Sequence, residues 1–279
     1  MKIVSTGSTL SSPEFHEKRK KARRRRLYLW TAGALTLSAL LTFLSRQEKF
    51  LISKAEVEGA KAVNQDEVIS LVQSHLSGYY FWLLPRSNFV IYPRRDIKKS
   101  LFKEFPRFAS VDLALEGTRL LSIVVVEREP FALYCASALL PDDASQCYFL
   151  DENGFIFDQA PSFSGHVYFI YAKDVPVEEP LGKEFLTPLE FKPLTRFANS
   201  LSILGINPLS MEVREEEVNL ILPHQTRIRW RRSSDLNVLY SNLEAFLKDD
   251  AIKSEVNFLE KVSVLDLRTD NKVFYRFKE

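Results

Sequence analysis

Leu27 to Leu44 is an unbroken run of eighteen uncharged residues, and eight of the nine residues before it, Lys18 to Arg26, are basic. As a helix, eighteen residues rise roughly 27 Å, close to the hydrocarbon thickness of a bilayer. A cleaved secretory signal has only about 7–15 apolar residues, followed by small residues at the cleavage site. Here the run ends in Thr42-Phe43-Leu44-Ser45-Arg46, with bulky side chains where small ones are needed. Tyr28 and Trp30 sit at the basic end, where aromatic rings favour the headgroup layer. The alternative, a buried helix of a soluble domain, ordinarily carries a polar stripe. The sequence therefore predicts a retained membrane helix over 27–45, with Leu27 and Leu44 near its ends.

Charge sets the expected orientation. Lys and Arg flanking a span stay on the cytoplasmic side. A tail over 1–26 is then inside, and everything after about residue 46 outside. Residues 50–279 hold 27 basic and 33 acidic residues, a net charge of −6. That portion has no basic field to hold nucleic acid. Its roughly 230 residues suit one large or two small domains. The only cysteines, Cys135 and Cys147, both fall outside the membrane on this topology, where disulfides persist. We expect a bridge between them, the alternative being two free thiols in adjacent strands.

From Ile52 the pattern turns to short elements. Ile52 to Glu58 reads as a strand. Asn64 followed by Glu67 is a helix start, with Val68, Ile69, Val72 and Leu76 on one face and Gly78 as the stop. Tyr79 to Tyr92 is aromatic-rich and interrupted by Pro85 and Arg86, too short to span. Its part from Tyr79 to Phe89 could dock a protein or rest on a membrane, but core packing is the expected role for most of those rings. Pro93 opens a second helix with Ile97, Leu101 and Phe105 on one side. Strands follow at Val111 to Leu115 and Leu121 to Glu127.

This order resembles the polypeptide-transport-associated (POTRA) domain of FtsQ/DivIB-type bacterial cell-division proteins. Val57-Glu58-Gly59, Tyr92-Pro93, Val126-Glu127-Arg128-Glu129-Pro130 and Leu265-Asp266-Leu267-Arg268 carry the resemblance, which covers nearly the whole chain. It implies an α+β fold: one N-terminal transmembrane helix, a POTRA domain (βααββ) over 50–128, and over 129–279 an extracytoplasmic, mixed β-domain with two flanking helices.

The later residues read the same way without that help. Short strands are expected at Phe131 to Tyr134, Cys147 to Leu150, Phe155 to Phe157 and Val167 to Tyr171. Asp151-Glu152-Asn153-Gly154 reads as a tight turn, with Asn-Gly supplying positive φ angles. Thr187 to Glu190 is a capping box, and Pro193 argues for a later helix start. Strands are expected at Met211 to Val213, Val218 to Leu222 and Thr226 to Trp230, then a helix marked by Leu236, Leu239, Leu243 and Phe246. Val262 to Arg268 and Lys272 to Phe277 close the chain as a hairpin.

No catalytic, cofactor or metal signature appears. His16, His75, His166 and His224 are scattered, and Ser164 beside His166 is too local to pair as nucleophile and base. The sequence points to a non-enzyme that needs no cofactor, nucleic acid or small-molecule substrate. In the last strand Val273, Tyr275 and Phe277 alternate to one face, and Lys272, Phe274 and Arg276 to the other. At a sheet edge it would serve as a docking strand, or be an ordinary edge protected by Lys272 and Arg276. The resemblance implies docking of small bitopic coiled-coil partners of the FtsB/DivIC and FtsL type, with Leu265, Leu267, Asn271, Val273, Phe274, Tyr275, Arg276 and Phe277 as contacts. The family's small residues in this strand are replaced by Val273, Phe274 and Tyr275. The implied role is a divisome scaffold in the bacterial plasma membrane at the septum, controlling septal wall synthesis. Rival readings are a POTRA-containing transport or assembly factor and a membrane-anchored enzyme.

Overall fold

The computed structural model describes residues 13–138, 147–161, 168–270 and 272–278. Residues 1–12 of the tail, the Pro141 turn, residues 162–167 and Asn271 lie outside the described residues. The fold is mixed α+β, with one long N-terminal helix and a large mixed sheet. Two compact units form: one comprises the chain up to Glu58 with Asn64–Lys98 and Asp112–Val124, the other Gly59–Val63, Lys99–Val111 and the chain from Val125 on.

The first unit begins with α1 (Pro13–Ser45). Its segment from Arg19 to Ser45 is long and apolar enough to cross a membrane, and none of it is buried. Leu29, Trp30, Leu35, Leu37, Leu41 and Phe43 are all exposed. A helix apolar on every side and uncovered by protein has no stable place in water.

Next come β1 (Lys54–Glu58), α2 (Gln65–Leu76), a two-rung hairpin of β2 (Tyr79–Tyr80) and β3 (Leu84–Pro85), α3 (Arg94–Glu104), β4 (Phe108–Glu116) and β5 (Leu120–Glu127). The small sheet runs β1-β5-β4, with β1 parallel to β5. Asn64 caps α2, its side chain accepting the Asp66 N–H at 3.0 Å. Val68, Val72 and Leu76 are buried along one face, as their spacing predicts. The rings of Tyr79 to Tyr92 depart from expectation: Tyr79, Phe81, Trp82, Leu83 and Val90 are exposed rather than core-packed.

Within the second unit the segment Gly59–Val63 is stitched to the end of β5. The Glu127 carboxylate accepts N–H bonds from Lys61 at 2.7 Å, Ala62 at 3.0 Å and Val63 at 3.1 Å, and one from Arg107 Nε at 3.2 Å. Gly59 is required there: φ is +88°, and a Cβ would lie 2.1 Å from the Val125 carbonyl oxygen. Burial opposes the charge on Glu127, yet the three backbone donors and Arg107 outweigh it and lower its pKa. A lowered folded-state pKa adds stability that is complete above about pH 4.3, the value for an unperturbed Glu. It is lost as pH falls through the lower folded value. Glu127→Gln is expected to destabilise by about 1–3 kcal/mol at neutral pH. The gap between variant and parent melting temperatures should close in that acid window.

The large sheet has the order β14-β13-β12-β11-β10-β9-β6-β7-β8. Its strands are β6 (Ala132–Cys135), β7 (Cys147–Leu150), β8 (Ile156–Gln159), β9 (Ile170–Lys173), β10 (Ser210–Val213), β11 (Glu217–Ile221), β12 (Arg227–Arg231), β13 (Val262–Asp266) and β14 (Phe274–Phe277). α4 (Pro188–Ser200) and α5 (Leu236–Lys248) supply the helical side of its main core, with the short helices α6 (Asp250–Lys253) and α7 (Phe258–Lys261) after them. Tyr171, Met211, Val218, Leu220, Ile228 and Trp230 point into that core. The Trp230 ring meets Phe197 of α4 edge-on at 5.2 Å.

Two local expectations are corrected. α4 starts at its capping box, where Glu190 accepts the Thr187 hydroxyl at 2.9 Å; Pro193 is carried inside the helix. In the turn after β7 only Gly154 has positive φ. The Asp151 carboxylate does the work expected of Asn153, accepting the Asn153 and Phe155 N–H groups at 2.9 Å each. Cys135 and Cys147 are directly opposite across β6 and β7, and their sulfurs are bonded.

Candidate functional site: the open edge of the large sheet

β13 and β14 form the last hairpin, with Val264 opposite Arg276, Leu265 opposite Tyr275 and Asp266 opposite Phe274. β12 pairs with β13 on its other side, so β14 ends the sheet. Backbone directions follow from two bonds. Leu267 N–H donates to Arg229 O on β12 at 2.8 Å, so Leu265 also turns to β12, and Val264 and Asp266 turn to β14. Lys278 N–H donates back to Lys261 O at 2.8 Å. Alternation then aims the backbone of Phe274 and Arg276 at β13. The N–H and C=O of Tyr275 and the N–H of Phe277 lie on the outer edge.

The strand is held firmly while its edge stays open. Lys278 Nζ donates to His224 O at 2.7 Å and Glu260 O at 2.6 Å. The Ser263 hydroxyl, at a bulge in β13, donates to Arg276 O at 3.0 Å. Tyr275 and Phe277 share one face and join Phe258 in a ring cluster: Tyr275 lies 5.3 Å from Phe258 and 5.4 Å from Phe277, and Phe246 lies 5.9 Å from Tyr275. Phe274 and Arg276 occupy the opposite face. All four strand residues are exposed, Phe274 at 55% the most of its three aromatic residues.

That opposite face is charged. Arg268 hydrogen-bonds Asp266 and holds its carboxyl below the usual range; burial works against this, and Arg229 at 3.7 Å assists. Arg268 also reaches Glu217 at 3.3 Å. Among the described residues Arg227, Arg231 and Arg276 enter no ion pair.

The structure divides the residues expected to contact a partner. Leu265 and Leu267 are 0% and 4% exposed. Their alternation turns their side chains into the core, beneath β14 rather than at its outer edge. Val273 is partly buried against the same core. Asn271 lies outside the described residues. Phe274, Tyr275, Arg276 and Phe277 remain accessible. Helical spacing marked Phe246 as apolar but did not single it out as backing for this strand, and Phe258 carried no such mark.

No family model matches the sequence, and no curated protein matches it.

A hollow of about 600 Å³ lies between α4 and α5 and is lined by Arg196, Phe197, Asn237 and Tyr240 among others, without a carboxylate, His or Cys. Among the described residues no cluster of three His, Cys, Asp or Glu side chains is placed to hold a metal. The buried Tyr171 hydroxyl pairs with Thr195 at 2.9 Å, and burial raises its pKa to about 12, too high for acid–base work at neutral pH.

Proposed function

We propose that this chain is a single-pass, non-enzymatic scaffold of the bacterial division machinery, resembling FtsQ/DivIB proteins. α1 holds it in the plasma membrane with the basic tail inside, and the outer units align proteins that control septal wall synthesis. The partner strand adds to the outer edge of β14. The observation that carries this reading is an edge strand whose four residues are all exposed, with an open backbone edge among the described residues, braced from behind by Phe258. Strand addition takes its affinity from main-chain hydrogen bonds and its selectivity from alternate side chains. Phe274 offers apolar grip, and the unpaired Arg276 asks for a carboxylate on the incoming segment.

The test is co-purification in detergent of the full chain with small bitopic coiled-coil proteins of the FtsB/DivIC and FtsL type. A stable complex is expected, and no complex at micromolar concentrations overturns the proposal. In spheroplasts, protease added outside should digest the chain beyond Ser45; protection of that portion contradicts the topology.

A further inference from the structure

A second apolar surface lies beside α1. The β2–β3 hairpin turns through Phe81 and Trp82, with the Leu83 N–H donating to Tyr80 O at 3.0 Å. Both central residues have positive φ, 47° and 60°. This is the primed turn that ordinarily takes Asn-Gly, and a large L-residue there costs about 1–2 kcal/mol. Nothing in the packing repays that cost, since Phe81 and Trp82 are 90% and 89% exposed. Tyr79, Leu83 and Val90 extend the patch.

The hairpin is tied to the end of the apolar helix. Arg46, the first residue after α1, donates from Nη2 to Trp82 O and from Nε to Leu83 O, both at 3.1 Å. Its guanidinium lies 5.6 Å from the Tyr79 ring centroid. Asn88 Nδ2 donates to Ser45 O, a terminal carbonyl of α1, at 3.0 Å. Phe89 stacks on Phe50 at 5.9 Å. Wherever α1 leaves the bilayer, the hairpin is therefore held within one arginine side chain of that exit.

We propose that the Tyr79–Leu83 hairpin is a membrane-interface foot, which seats Phe81 and Trp82 in the headgroup layer of the leaflet where α1 emerges. The occupant is lipid. Aromatic rings favour that layer, and Arg46, beside Tyr79, keeps its charge at phosphate depth while its stem lies along apolar surface. The foot fixes the first unit close to the bilayer. This inference rests on α1 spanning the membrane, but not on the identity of the partner at β14.

The test uses the full chain in nanodiscs of phosphatidylcholine and phosphatidylglycerol, with nitroxide labels at single introduced cysteines. Cys135 and Cys147, being bonded to each other, leave the label one target. Phe81→Cys probes the foot, Leu37→Cys the middle of α1, and Ile203→Cys, at an exposed site in the second unit, serves as the water control. Collision rates with oxygen and with a water-soluble nickel chelate give depth. The expected oxygen-to-nickel ratio at position 81 is several-fold above that at 203 and below that at 37. A lipid-like 37 with a water-like 81 overturns the foot and leaves the span standing. A water-like 37 overturns both. Arg46→Gln should lower the ratio at 81 toward the control; an unchanged ratio removes Arg46 as the positioning residue.

Discussion

Phe274→Ser will cut partner capture by a factor of about thirty or more while leaving the melting temperature within about 1 °C. Phe274 is 55% exposed and faces away from the Phe258 ring cluster, so its loss opens no cavity. Aromatic anchors at an interface centre are worth about 2 kcal/mol or more, which is about thirtyfold in affinity. Tyr275→Pro tests the backbone separately. Its N–H is on the outer edge, so proline removes no bond to β13, and edge strands accept proline at such positions. Capture should again fall. The variant loses some ring contact with Phe246 and Phe258, and a parallel Tyr275→Leu control separates that effect. Full capture by both Phe274→Ser and Tyr275→Pro would exclude the strand. Deleting 262–279 is a poor substitute, because it strips Val262, Leu265 and Leu267 from the core and unfolds the sheet edge.

Removing the Cys135–Cys147 bridge will give the largest loss of stability. The cysteines are separated by 12 residues, and a loop of that size contributes about 3 kcal/mol on the chain-entropy account. Both half-cystines are buried beside Leu133, Phe149 and Phe157, so two thiols or two serines there also pack less well. The double Ser variant, or the reduced protein, is expected to melt about 6–12 °C lower. An unchanged melting temperature on reduction would show that the bridge adds nothing.

Some of this fold is legible in the sequence because local chemistry dictates it. Asn64 and Thr187 start helices by accepting or exchanging hydrogen bonds at the cap, whatever else surrounds them. Val68, Val72 and Leu76 share a face by helical period alone. The run from Leu27 to Leu44 announces its solvent by having no polar side. Other features depend on partners far along the chain. Alternation puts Leu265 and Tyr275 opposite each other in one hairpin, but only the β12 ladder and the helical layer decide that Leu265 is inside and Phe274 outside. Tyr79 to Tyr92 has the composition of a core segment. Its Tyr79, Phe81 and Trp82 rings nevertheless lie exposed, and Arg46 and Asn88 tie the segment to the end of α1, contacts about forty residues apart in sequence. The stitch made by Glu127 on Lys61, Ala62 and Val63 is equally non-local.

The most direct measurement is amide hydrogen exchange along β14 in the free chain and in the complex with the proposed coiled-coil partner. In the free chain the amides of Tyr275 and Phe277 should exchange quickly, and those of Phe274 and Arg276 slowly, because only the latter pair with β13. Binding of the proposed partner should slow Tyr275 and Phe277 by a factor of about 100 or more, as new ladder bonds form. If both stay fast while the partner is bound, the partner lies elsewhere and the docking edge is refuted.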